Sequence, residues 1–125
     1  LELFQDINCI VEVLSNLRTA VVIEEKNLQA DIAKLLSDAG ITYSKEYRLG
    51  PRNRIDFMLE NGIGIEVKKG KQNSQVVLNQ VVRYAKCDDV TGIIIVSEYN
   101  LQLPKCINKK PCETLFLNRL WGIAL

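Results

Sequence analysis

The chain has 125 residues, 47% hydrophobic and 25% charged, with a formal net charge of +1. That is the composition of one folded domain, which excludes a disordered segment and leaves too little chain for two domains. Near-neutrality leaves any nucleic-acid surface to local basic clusters. No apolar run approaches 18 residues and the opening Leu-Glu-Leu-Phe-Gln-Asp lacks a basic start, so a soluble, cytoplasmic chain is expected.

Residues 3–18 carry Ile7, Ile10, Val11, Leu14 and Leu17 at helical spacing. Residues 24–39 repeat it through Leu28, Ile32, Leu35, Leu36 and Ala39, and Gly40 ends that helix. The apolar, β-branched "TAVVIEE" between them either extends one helix or links the two. Thr42–Leu49 reads as an edge strand closed by Gly50-Pro51. Ile55, Phe57 and Leu59 alternate along a second strand and Ile63, Ile65 and Val67 along a third, with Asn61-Gly62 as the tight turn between them. Helical spacing returns over Gln72–Lys86 through Val76, Val77, Val81 and Tyr84. "TGIIIVSE" is apolar enough for a central strand buried on both faces. "KCINKKP" reads as a loop, and "ETLFLNRLWGIAL" as a last short strand and a terminal helical turn. The order predicts an α/β fold: a mixed sheet with an antiparallel three-stranded meander, a crossover helix and following strands, flanked by helices.

Cys9, Cys87, Cys106 and Cys112 include no Cys-x2-Cys pair and the chain has no histidine, so zinc and iron–sulfur sites are disfavoured. Free, mostly buried thiols are expected. The basic residues gather in three places: Arg48, Arg52 and Arg54; Lys68, Lys69 and Lys71; and Lys105, Lys109 and Lys110.

Period-two geometry makes the hairpin informative. It sets Arg54, Asp56 and Met58 on one face of the second strand, and Gly64, Glu66 and Lys68 on the matching face of the third. Asp56 and Glu66 lie five positions either side of Asn61, which makes them cross-strand neighbours. Opposed like charges disfavour a sheet unless something compensates. Lys68 does so in part, and a hard divalent cation does so better. A plain amphipathic hairpin with a wet face would carry the same letters, so spacing alone leaves the question open. Two further side chains bear on it. Glu25, or Glu24 beside it, stands at the margin of the second helix's apolar stripe, where it either reaches the same cation or serves as a first-turn acid. Gln80 lies between Val77 and Tyr84, at the edge of a packed face.

With "RIDF" set against "IEVKK", an acid-bearing helix before and "NQVVRY" after, residues 24–97 resemble the PD-(D/E)xK nuclease superfamily. The residue before Asp56 is Ile55 rather than the proline of the motif name. The Gln80-x3-Tyr84 spacing is similar to that of RecB-like and Cas4-like nucleases, without their upstream histidine or cysteine arrangement. Holliday-junction resolvases and small phage or restriction-type endonucleases are closer in size. The resemblance implies a restriction-endonuclease-like core and metal-dependent hydrolysis of DNA. It implies Mg²⁺ or Mn²⁺ held by Asp56, Glu66, the Val67 carbonyl and Glu25, water activated by Lys68, and Gln80 placing nucleophile or phosphate. Arg52, Arg54, Lys69, Lys71 and Tyr84 would contact the nucleic acid, and a homodimer would supply a second cut. The alternative is a nuclease-like binding or assembly module that does not cleave.

Overall fold

The computed structural model describes residues 2–17 and 25–117, and the side chains of 6–17 and 28–117. The elements in chain order are α1 (Glu2–Leu14), α2 (Glu25–Asp38), β1 (Tyr43–Gly50), β2 (Asn53–Leu59), β3 (Ile63–Lys68), α3 (Ser74–Ala85), β4 (Gly92–Ser97), β5 (Cys106–Ile107) and β6 (Lys110–Phe116). They form a mixed six-stranded sheet ordered β1-β2-β3-β4-β6-β5. β1, β2 and β3 are the antiparallel meander. α3 then carries the chain across to β4, which runs parallel to β3, and β6 runs parallel to β4.

Helices cover both faces. Ile7, Ile10 and Leu14 of α1 and Leu28, Ile32 and Leu36 of α2 pack with Phe57, Leu59, Ile63, Ile65 and Val67. Val77, Val81 and Tyr84 of α3 pack on the other face with Ile55, Met58, Ile93 and Ile95. β4 sends Ile93 and Ile95 one way and Ile94 and Val96 the other, which is why its sequence is apolar throughout.

Local chemistry sets the element ends. α1 stops at Leu14, four residues short of the expected end, where the Ser15 hydroxyl bonds back to the Val11 carbonyl at 2.8 Å. Past α2, Gly40 adopts φ +75° and the Ile41 N–H reaches the Leu36 carbonyl at 2.9 Å, a left-handed cap. Gly62, at φ +92°, closes a three-residue loop from Leu59 to Ile63, and a side chain there would meet the Asp89 carbonyl at 2.8 Å. The expected loop "KCINKKP" is instead a tight hairpin: β5 and β6 pair across Asn108 and Lys109, both at positive φ. Asn-Lys lacks the glycine by which such turns are usually read. "TAVVIEE" up to Glu24 and the terminal turn at 118–125 lie outside the described residues.

Strict alternation fails in β2. Phe57 and Leu59 face α1 and α2, but Ile55 packs with Met58 on the α3 side. The inversion falls at Asp56. It recurs in β1, where Tyr43 joins the first cluster and Tyr47 the second, and Glu46 between them has φ +50°. The ladder pairs Lys45 with Phe57 and Tyr47 with Ile55 but omits Glu46 and Asp56. Gly64 makes room for the inverted Ile55, whose Cδ1 would collide with any side chain at that position.

Candidate active site

The inversion at Asp56 is where the acids meet. β2 and β3 pair as Met58–Gly64 and Phe57–Ile65, a register that puts Asp56 opposite Glu66, as the hairpin spacing predicts. The backbone ladder stops before that pair. In its place the Asp56 N–H donates to Glu66 Oε1 at 3.1 Å, and the Val67 N–H donates to Asp56 Oδ2 at 2.8 Å. Each carboxylate thus takes an N–H from the other's strand. The strands part here and side chains bridge the gap, which satisfies backbone donors that a regular ladder would have paired. The N–H and C=O of a strand residue point to the same neighbour, so the Val67 carbonyl also lies on the gap side.

The α3 helix closes this gap from one face. Gln80 donates one amide hydrogen to Glu66 Oε2 at 3.2 Å and another to the Tyr84 hydroxyl at 2.8 Å. The Tyr84 hydroxyl in turn donates to the Arg54 carbonyl at 2.9 Å. Asn73 caps this helix, accepting from the Gln75 and Val76 N–H groups. The Lys68 ammonium stands 3.3 Å from Glu66 Oε2, with both side chains largely enclosed. Asp56, Glu66, Lys68 and Gln80 are therefore brought together.

Burial and charge oppose Glu66's ionisation. The residue is 6% exposed, which excludes a merely solvated surface acid. Loss of solvent, then the negative charge of Asp56, push its pKa up to about 7, against the opposing pull of Lys68. Burial, then the charges of Glu66 and Asp56, also push the Tyr84 phenol well above its ordinary range, so it stays a donor.

Tyr84 is 1% exposed and its hydroxyl is engaged on both sides. Its side chain is buried and holds Gln80 to the Arg54 carbonyl, so it is not placed for the nucleic-acid contact that the resemblance implies. Arg52 and Arg54 are exposed, Lys71 is exposed and Lys69 half-buried in the β3–α3 loop. The expected shared parity of Arg54 with Met58 does not hold. Asn53 and Ile55 turn towards α3, so Arg54 between them turns away. Glu25 opens α2, and its side chain lies outside the described ones, as does Glu24. Among the described residues no three acidic, cysteine or histidine side chains gather into one cluster.

Other roles were hidden in the sequence. The Lys110 ammonium donates to the Ala85 and Cys87 carbonyls at 2.7 and 2.8 Å, so it caps α3 rather than extending a basic patch. Cys9 and Cys106 are exposed and only Cys112 is buried, so the thiols are not mostly interior. Burial pushes the Cys112 thiol up to about 12. Cys87, the fourth thiol, ties α3 to the β1–β2 turn, accepting from the Asn53 amide and lying 3.7 Å from the Leu49 carbonyl. No described helix is long and apolar enough to cross a membrane. Comparison with known protein families, characterised proteins and solved structures finds no match, so the site stands on its own geometry.

Proposed function

We propose that the protein is a metal-dependent endonuclease hydrolysing DNA phosphodiester bonds on a restriction-endonuclease-like core of the PD-(D/E)xK type. The observation that carries this reading is the strand gap in which Asp56 and Glu66 face each other with Lys68 3.3 Å from Glu66. Two carboxylates beside a strand carbonyl are hard oxygen donors that fit Mg²⁺ or Mn²⁺. Asp56, Glu66 and Val67 would hold the ion, with Glu25 from α2. Such an ion supplies Lewis acidity to phosphoryl oxygens and a lowered pKa to water.

The chain's own groups do the rest. Lys68 presents its ammonium beside the carboxylates, where it would orient a water and offset charge developing on phosphorus. Gln80 fixes Glu66 Oε2, and Tyr84 fixes Gln80. Glu66, Lys68 and Gln80 lie on the α3 side of the sheet, and exposed Arg54, two residues before Asp56, turns to the other side. Lys69 and Lys71 follow Lys68 in the loop and grip backbone without reading sequence. A second copy would supply a second cut on duplex DNA.

A nicking assay on supercoiled DNA tests the reading. Wild-type protein is expected to cut with Mg²⁺ or Mn²⁺ and not in EDTA, and Lys68→Ala to lose about 10²–10⁴-fold in rate with its unfolding midpoint kept. Asp56→Asn should abolish the rise in melting temperature that Mn²⁺ gives the wild type. A protein that binds DNA and never cuts single-stranded, duplex or branched substrates supports the second reading, a non-cleaving module. The reciprocal carboxylate–backbone bonds favour that reading to the extent that they give both acids a purely structural use.

A further inference from the structure

We infer that the β1–β2 turn carries a separate phosphate-binding hollow, built by Arg48, Arg52 and Arg54, that seats one phosphate group of the nucleic acid beside the cutting site. It rests on the nuclease reading for its substrate class and adds a subsite to it.

The three arginines line a hollow of about 170 Å³ together with Gly50 and Asn53. Arg48 and Arg54 are direct cross-strand partners. Like charges in that relation destabilise a sheet unless an anion lies between them. The carboxylate paired with them is a poor partner: Glu46 approaches Arg54 only to 3.9 Å, with both side chains more than half exposed. Arg52 holds φ +58°, a left-handed conformation that costs a non-glycine residue about 1 kcal/mol or more. That places a third guanidinium over the same hollow where a glycine would have been cheaper.

The hollow is anchored to the catalytic gap. Tyr84 donates to the Arg54 carbonyl, the Asn53 amide lies 3.7 Å from the Cys87 sulfur, and Gln80 of the same helix holds Glu66. α3 and Cys87 just past its end therefore fix the backbone at Asn53 and Arg54 relative to Glu66. Arg54 lies two strand residues from Asp56, roughly 7 Å along β2. Alternation turns Arg48 and Arg54 away from α3, since Tyr47, Leu49 and Ile55 beside them pack towards it, whereas Gln80 holds Glu66 on the α3 side.

The test is metal-free binding of wild type, Arg48→Gln, Arg52→Gly and the double variant to a duplex oligonucleotide in EDTA over a series of salt concentrations. Arg52→Gly suits the positive φ, so it removes the cation while favouring the fold. Because three arginines share one phosphate, each single variant should lower the slope of log affinity against log salt by about 0.9, and the double variant by no more. Slopes that fall additively would make the arginines independent surface contacts and overturn the hollow. So would unchanged slopes, or a wild type without measurable affinity. Duplexes with and without a 5′-phosphate separate the source: equal loss points to a bridging phosphodiester, and loss confined to the phosphorylated duplex points to a terminal phosphate. Cleavage is scored separately with Mg²⁺. A failed hollow in a cutting enzyme leaves the nuclease reading standing, and intact binding without cutting removes that reading while leaving the hollow.

Discussion

Burying Glu66 beside Asp56 makes its ionisation a lever on stability. Its folded pKa, about 7, lies above the ordinary 4.5, so the folded chain binds this proton more tightly than the unfolded one. The contribution is fully present below about pH 4.5 and is lost as pH rises through 7, by roughly 3 kcal/mol in all. Urea unfolding in EDTA should show wild-type stability declining between pH 5 and 8, and Glu66→Gln flattening that decline. A flat wild-type profile would mean that Glu66 is not buried as described. Tyr84→Phe removes the hydroxyl that joins Gln80 to the Arg54 carbonyl. It should cost about 1–3 kcal/mol, since a part-buried carbonyl loses its donor and the Gln80 amide an acceptor. Asp56, Glu66, Lys68 and Gln80 were legible in the sequence because turn position and helical spacing fix who neighbours whom. Tyr84's role was not, because spacing tells which face a residue occupies and not how deep it lies.

At the scale of elements, the inverted half of the β1–β2 hairpin depends on one missing side chain. Gly64→Ala would drive a methyl into Ile55 Cδ1, and Ile55 is fully buried. The substitution should destabilise by about 1–3 kcal/mol. Ile55→Val removes Cδ1, so the double variant should recover part of that loss, and a thermodynamic cycle measures the coupling. Absence of coupling would separate the two residues. The strands themselves were readable from alternation. The inversion was not, because it arises where side chains displace the backbone ladder, and a two-residue period assumes an unbroken one. The β5–β6 hairpin escaped for a different reason: its turn puts Asn108 and Lys109 at positive φ without a glycine.

For the molecule as a whole, α1 shows how little a site motif says about what keeps a fold standing. It lies outside residues 24–97, yet Ile7 and Leu14 are wholly buried under the sheet. Ile7→Ala with Leu14→Ala should cost about 4–10 kcal/mol, comparable to a domain's entire stability. Loss of a cooperative thermal transition would be the expected result, and a retained transition near the wild-type midpoint would contradict the packing.

The exchange of backbone N–H groups between Asp56 and Glu66 also bears on descent. Both acids extend the joint between β2 and β3 past the end of its backbone ladder, whether or not the chain cuts anything. Their retention in a descendant would therefore be poor testimony to activity. Lys68 is the better witness, since among the described residues its ammonium pairs only with Glu66 and holds no strand in place. On the nuclease reading, a lineage without hydrolysis would be free to lose the lysine first and keep the acids as joinery.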